Sequence, residues 1–405
     1  MRVLLFTDTL ADVNGVSRFI QTLARHARQT GRDLDVATSS RHPLPPAPNL
    51  LNLPRWLAVR MPGYPDLDLT LVRRRQALDL ARRLEPDVIH ASTPGPLGLA
   101  ARWVARRLRL PLVCTHHTNF PAYMLHLFDD EALAHAARLY LRWFFAPAQR
   151  IIARSAATRQ DLIDLGVPDR RIAAFTPGID TRAFSPRFAD PAVWSRLDPL
   201  PLTPHAPHAP PPVRILYVGR VSIEKGLHRL TDLWPGVVAQ ARALGHAPRL
   251  IIVGDGPWLE PMRRRLTLGP GADTARFLGF RHARELAAIY ASADLFVFPS
   301  DTDTLGQSVL EAQCSGLPVI VSDRGGPAAL VLHRRTGLIV PGLDPANWRS
   351  AILSLIADPE RRHAMARAAA EHGATFTFSR SFEEWWRLAT LRDDPAQRPP
   401  DQVNP

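Results

Sequence analysis

Lysine is almost missing from this chain. Of its 50 Lys and Arg residues only Lys225 is lysine, in the stretch "VGRVSIEKGLHRL" (218–230). The arginines recur along the whole length, in "LVRRRQALDLARRL" (71–84), "AARWVARRLRL" (100–110) and "PMRRRL" (261–266), so the net charge of +12 is spread over helical segments. A coding bias toward arginine produces that pattern without any partner. Nucleic acid needs clustered charge to neutralise its phosphates, and neither a helix-turn-helix nor an RNA-binding aromatic motif is present, so no nucleic-acid partner is expected. The remaining use for such charge is attraction to an anionic bilayer surface, where each basic residue contributes about 1 kcal/mol.

Cysteine is scarce as well. Cys114 and Cys314 lie 200 positions apart without metal-ligand or CxxC spacing, which fits buried thiols in a reducing cytoplasm. No run of 18 apolar residues occurs, so no membrane span is expected, and "MRVLLFTDTLAD" turns polar at Thr7, too early for the apolar region of a secretory signal. The expected placement is cytoplasmic. Peripheral attachment to the inner face of the cytoplasmic membrane is a side expectation, resting on the Arg-rich helices and on "LYLRWFFAP" (139–147), whose Trp143, Phe144 and Phe145 either enter the headgroup layer or fill a core.

What is present is a repeated alternation of short apolar runs with helical patterns. "RVLLFT" (2–7), "LDVATS" (34–39), "DVIHAS" (87–92), "PLVCTHH" (111–117) and "RIIARS" (150–155) read as buried parallel strands, with helices between them at 15–31, 67–84, 97–109 and 130–146. The proline-dense "LDPLPLTPHAPHAPPP" (197–212) then interrupts both helix and sheet. Beyond it the alternation restarts, from "VRILYVGR" (213–220) to "TGLIVPG" (336–342). The expected fold class is α/β, two doubly wound Rossmann-like domains facing a central cleft. The first spans 1–196, the linker 197–212 and the second 213–375, followed by a helix at 376–392 crossing back to the first domain and a disordered tail at 393–405.

Candidate chemistry falls at strand ends. Asn14-Gly15-Val16-Ser17 follows strand one, where a glycine admits a ligand to the backbone and a helix N-terminus favours phosphate. It is not GxGxxG, and a plain turn explains it equally well. In "CTHHTNFPAY" (114–123), His116 and His117 end a strand, to meet a ligand hydroxyl or to serve structure alone; zinc would need a further ligand. Arg220 and Lys225, five apart on a strand-to-helix loop, suit a diphosphate. In "FPSDTDTLGQSVLEAQCSG" (298–316), Asp303 and Glu311 flank the start of a helix, about 10 Å apart along its axis, and the N–H groups of Leu305 and Gly306 are expected to face a phosphate.

Taken together, "GRVSIEKG", "IVGDGP", "FLGF", "YASADLFVFPS" and "TDTLGQSVLEAQCSGLPVIVSDRGG" resemble the retaining family 4 glycosyltransferases of the GT-B fold, and "THHTNFPAY" resembles the H-T-x-F-x-x-Y segment of their bacterial α-mannosyltransferase and glycolipid-transferase branch. The resemblance implies a hexosyltransferase without a metal cofactor, using a nucleotide-sugar donor and a lipid or glycan acceptor. Mannose from GDP-mannose is the first expectation for the donor; a UDP-sugar-dependent glycolipid or polysaccharide transferase is the alternative, with a nonhydrolysing sugar-nucleotide epimerase behind both. Residue by residue, it implies that Gly15 approaches the diphosphate and His117 the hexose, and that Arg220 and Lys225 neutralise the leaving nucleotide. Asp303, with the backbone of Leu305 and Gly306, holds the sugar, and Glu311 takes the ribose. The chain departs from the pattern at Asp303 and Ala329, where Glu is common, and at Leu305, where Phe is usual. The DxD at 301–303 matches a metal-holding motif of other sugar transferases, a reading that the adjoining helix N-terminus argues against.

Overall fold

Among the described residues the chain forms fifteen strands, thirteen of them in two parallel sheets. The computed structural model describes all residues except 13, 62–63, 118–129, 198–210, 269–270, 343 and 393–405. Most of the proline-rich linker, the expected disordered tail and the T-x-F-x-x-Y part of the histidine segment lie outside the described residues. The chain divides into two compact units, Met1–Pro177 with the residues from Ser379 onward, and Gly178–Phe378.

In the first unit the strands are β1 (Arg2–Phe6), β2 (Asp33–Thr38), β3 (Leu50–Asn52), β4 (Arg55–Met61), β5 (Tyr64–Val72), β6 (Val88–Ala91), β7 (Leu112–His116), β8 (Arg150–Ala153) and β9 (Ile172–Ala174). Seven form one parallel sheet in the order β3-β2-β1-β6-β7-β8-β9. Every residue of β6 and β7 is buried, as expected for strands covered on both faces. The order reverses between β1 and β6, the place where ligands of such sheets bind.

The expected helix at 67–84 starts only at Arg74. Ahead of it β4 and β5 form an antiparallel pair. The reason is visible in Asp66-Leu67-Asp68-Leu69-Thr70-Leu71, a strict alternation of period two that the later arginine-rich helical pattern masks.

The second unit contains β10 (Val213–Val218), β11 (Pro248–Val253), β12 (Ala275–Gly279), β13 (Leu295–Phe298), β14 (Val319–Ser322) and β15 (Gly337–Val340), all parallel in the order β12-β11-β10-β13-β14-β15. Its reversal lies between β10 and β13. Residues 178–196, expected with the first domain, pack here: Trp194 Nε1 donates to the Ser292 carbonyl at 2.8 Å, and the Arg214 guanidinium covers its ring at 5.1 Å.

The last helix, Phe378–Ala389, returns to the first unit. Glu384 accepts from the backbone N–H of Thr176 at 2.7 Å, Glu383 pairs with Arg32 at 3.0 Å, and Phe382 and Trp385 pack on His26 and His90. Of the three aromatics considered for a membrane surface, Phe144 and Phe145 are 1% exposed and belong to the core of the first unit. Trp143 is exposed, with the Arg102 guanidinium 3.8 Å above its ring. Both cysteines are free and buried, and burial pushes each thiol up to about 12. Among the described residues, no helix is long and apolar enough to cross a membrane.

Candidate active site

The loop after β10 and the loop after β13 meet at the reversal of the second sheet, and a glycine sets how closely. Gly226 has φ +71°, and a Cβ on it would lie 2.2 Å from the Pro299 carbonyl oxygen, so a side chain there would force the loops apart. Hydrogen bonds hold the same approach: the hydroxyls of Ser300 and Thr302 both donate to the Glu224 carbonyl, at 3.2 and 3.0 Å. Arg229 pairs with Asp301 at 3.2 Å. Lys225 is therefore delivered directly to Asp303, its Nζ donating to Oδ2 at 2.5 Å, with both side chains about one-fifth exposed (22% and 18%).

The other oxygen of Asp303 corrects an expectation. Oδ1 accepts from the N–H of Leu305 at 3.1 Å and of Gly306 at 2.8 Å, so the two donors expected to face a phosphate are bound to the chain's own carboxylate. An aspartate bonds readily to N–H groups two and three residues ahead, the usual short-side-chain turn, and here that turn leads into the helix Gln307–Cys314. Burial pushes the Asp303 carboxyl up, but the Lys225 charge, its hydrogen bond and the two N–H groups outweigh burial and hold it below the ordinary aspartate value. The pair is thus ionised. Leu305 is buried at 7% exposure, and Gly306, with φ +78°, turns the chain into the helix.

Two turns further on, Glu311 is 2% exposed. Its Oε2 accepts from the Tyr290 hydroxyl at 3.0 Å, and its Oε1 from Gln307 Nε2 at 3.3 Å. Arg220 is half-buried on the β10 loop, which is fixed by the Tyr217 hydroxyl donating to the Arg220 carbonyl at 2.8 Å. The second sheet therefore gathers Arg220, Lys225, Asp303, Leu305, Gly306 and Glu311 around strand ends on either side of its reversal and the helix that follows β13. Sequence reasoning missed Tyr290, Arg229 and Asp301. Tyr290 stands inside the quoted "YASADLFVFPS", yet its bond to Glu311 spans 21 positions and becomes visible only in the fold.

The first unit carries its own polar group at its own reversal. His117 is buried, with Nε2 2.9 Å from Ser92 Oγ and Nδ1 3.4 Å from Arg154 Nη1. A guanidinium only donates, so Nδ1 is the acceptor and Nε2 carries the proton toward Ser92. Burial, then the positive charge of Arg154, hold His117 well below the ordinary histidine value, so the ring is neutral at physiological pH. Burial takes His116 down to about 4 and His90 to about 3. Gly15 opens the first helix, Gly15–Gln29, and is exposed; Asn14 caps that helix by accepting from the Ser17 N–H at 2.8 Å.

Asp8 was not anticipated from sequence. It follows β1 and reaches across to the helix Pro96–Leu108, accepting from the Leu97 N–H at 2.8 Å and from the Thr93 hydroxyl at 2.5 Å. Burial raises its carboxyl to about 6 against the opposing effect of those donors. A carboxyl with a raised folded pKa binds its proton more tightly when folded, so the stability it supplies as an acid is present below about pH 4 and lost as pH rises to about 6. The three buried histidines act the other way, withdrawing stability as pH falls below the unfolded value of 6.5. Subtracting the variant isolates the aspartate: from pH 4 to pH 7, wild type is expected to lose up to about 3 kcal/mol relative to Asp8→Asn, at 1.36 kcal/mol per pKa unit. Denaturant unfolding of both proteins across that range checks this, and parallel profiles would refute it.

Among the described residues, no group of three or more His, Cys, Asp or Glu could hold a metal ion. A family model described as Glycosyltransferase Family 4 matches residues 13–183, and one described as Glycosyl transferases group 1 matches 205–372. The chain is 33% identical over 82% of its length to a GDP-mannose-dependent alpha-mannosyltransferase of Mycobacterium tuberculosis, covering 81% of that protein. It is 29% identical to the sulfoquinovosyl transferase of Arabidopsis thaliana, over 96% of this chain and 72% of that one. In fold it is similar to Anabaena HepE in complex with UDP-glucose, with TM-score 0.72 and 19% identity over 96% of this chain and 100% of that one. The sucrose-phosphate synthase of Thermosynechococcus elongatus is similar at TM-score 0.74 and 19% identity, over 96% and 98%.

Proposed function

The chain belongs to the family 4 glycosyltransferases, and from that premise we propose that its second unit holds a nucleoside diphosphate hexose, which it transfers with retention of configuration to a lipid or glycan acceptor. The ionised Lys225–Asp303 pair at the sheet reversal carries this reading. An ammonium can serve a carboxylate and a phosphate together, so Lys225 with Arg220 balances the charge that builds on the leaving diphosphate. Asp303 accepts from hexose hydroxyls, with Leu305 and Gly306 acting through it by fixing its other oxygen. Glu311 accepts from the ribose. In the first unit, Gly15 and His117 are proposed as donor contacts; because Ser92 and Arg154 take the two ring nitrogens of His117, a hexose hydroxyl reaches the ring by displacing one of them.

For the donor itself, mannose from GDP-mannose was the first expectation, and it is supported by three mannosyltransferase relatives at 30 to 33% identity. A UDP-sugar is the better supported of the two, because one fold relative, Anabaena HepE, is in complex with UDP in one structure and with UDP-glucose in another, while starch synthase IV of Arabidopsis thaliana is bound to ADP. A thermal-shift panel of UDP, GDP, ADP and their sugars separates the two. A ligand at a hundred times its Kd stabilises by about 2.7 kcal/mol, so one base should stand out, and UDP is expected to. A shift with GDP alone would return the donor to GDP-mannose. No shift with any diphosphate would remove the donor-site reading.

A further inference from the structure

Glu311 is a carboxylate at 2% exposure that accepts from the Tyr290 hydroxyl at Oε2 and from the Gln307 amide at Oε1. A buried carboxylate needs donors at both oxygens, and which donors they are decides what it can still do. A phenol at one oxygen and an amide at the other fix the plane of the carboxylate, and each carboxylate oxygen has two acceptor directions.

Tyr290 suits that purpose better than Gln307. It is 0% exposed, lies on the helix Ala283–Ser292, and is wedged between Phe184 (ring centroids 5.6 Å, edge-on) and Phe296 (5.8 Å). Packing on neighbouring elements therefore fixes its ring, and with it the place of its hydroxyl oxygen. Gln307 is partly buried on the same helix as Glu311, four residues earlier, and its bond is the longer at 3.3 Å.

We propose that Tyr290 is a positioning residue that sets the rotamer of Glu311 for recognising the two vicinal hydroxyls of the donor ribose. The proposal rests on the ribose role given to Glu311 above. It predicts that Tyr290 governs discrimination between ribose and deoxyribose while leaving the affinity for the rest of the nucleotide alone. Loss of one hydrogen bond to a charged group weakens binding about tenfold, so wild type should bind the ribonucleoside diphosphate about tenfold more tightly than its 2′-deoxy or 3′-deoxy form.

The test is calorimetric titration of UDP and GDP, each beside its 2′-deoxy, 3′-deoxy and 2′,3′-dideoxy forms, into wild type, Glu311→Ala, Tyr290→Phe and Gln307→Leu. Tyr290→Phe keeps the ring and its packing, and an unchanged affinity for the dideoxy nucleotide certifies the fold. The expected result is that Glu311→Ala abolishes the discrimination, Tyr290→Phe reduces it at least threefold (about 0.65 kcal/mol by RT ln 3), and Gln307→Leu reduces it less. Full discrimination in Tyr290→Phe beside its loss in Glu311→Ala would overturn the positioning role and leave the ribose role standing. Absence of discrimination in wild type would overturn both. Equal weakening of every nucleotide by Tyr290→Phe would mark a merely structural tyrosine and also overturn the proposal.

Discussion

Replacing Lys225 with alanine is expected to lower kcat by about a hundred- to a thousandfold, the usual cost of removing one donor aimed at developing negative charge. The protein should still fold. Asp303 would lose its ion-pair partner but keep the N–H groups of Leu305 and Gly306, so the stability loss should be limited to about 1–2 kcal/mol. Lys225→Arg is the more pointed variant. The chain uses arginine at every other basic position, so neither charge nor codon usage explains the lysine. Geometry does: Nζ sits 2.5 Å from Asp303 in a loop pinned by Gly226 against Pro299, and a longer planar guanidinium would overrun the carboxylate there. Lys225→Arg should therefore retain wild-type stability within about 1 kcal/mol and still lose more than about tenfold in kcat. Initial rates at saturating donor, with unfolding curves alongside, measure both; full activity in the arginine variant would leave the lone lysine unexplained.

Asp303 is expected to have the second largest effect, and in two separable parts. Asp303→Ala removes the acceptor that holds the turn ahead of the helix Gln307–Cys314, a loss of about 1–3 kcal/mol, and also removes the partner of Lys225 and the acceptor proposed for the hexose hydroxyls. Asp303→Asn keeps Oδ1 for the two backbone N–H groups and removes the charge. It should stay within about 0.5 kcal/mol of the stability lost to its missing ion pair alone, while kcat/KM falls about ten- to a hundredfold. A difference in stability between the two variants with similar losses of activity would place the turn and the chemistry on different oxygens of one side chain. Equal stability would mean that the hydrogen bonds of the turn contribute nothing.

The parallel strands could be read from the chain because their residues are buried on both faces and appear as continuous apolar runs; β1, β6, β10 and β13 all stood where such runs stood. The hairpin of β4 and β5 is masked in the sequence because its period-two stretch adjoins an arginine-rich helix whose apolar spacing continues through it. Site residues followed the same division. Lys225 and Asp303 could be named from local spacing, but their mutual bond spans 78 positions and depends on the order in which β10 and β13 become neighbours. The capture of the Leu305 and Gly306 donors by Asp303 is a local turn that was within reach, since an aspartate commonly bonds to the N–H groups two and three residues after it. Tyr290 and Asp8 were out of reach. Their partners, Glu311 and Thr93, lie 21 and 85 positions away, and no periodicity connects them.

The central claim is that the loop bearing Lys225 receives the diphosphate of the donor. It is tested most directly by calorimetric titration of UDP, GDP and the corresponding nucleosides into wild type and Lys225→Ala, without acceptor. Wild type should bind one diphosphate at least about tenfold more tightly than its nucleoside, and Lys225→Ala should lose most of that preference while its affinity for the nucleoside is unchanged. An alanine variant that holds the diphosphate as tightly as wild type would contradict the account.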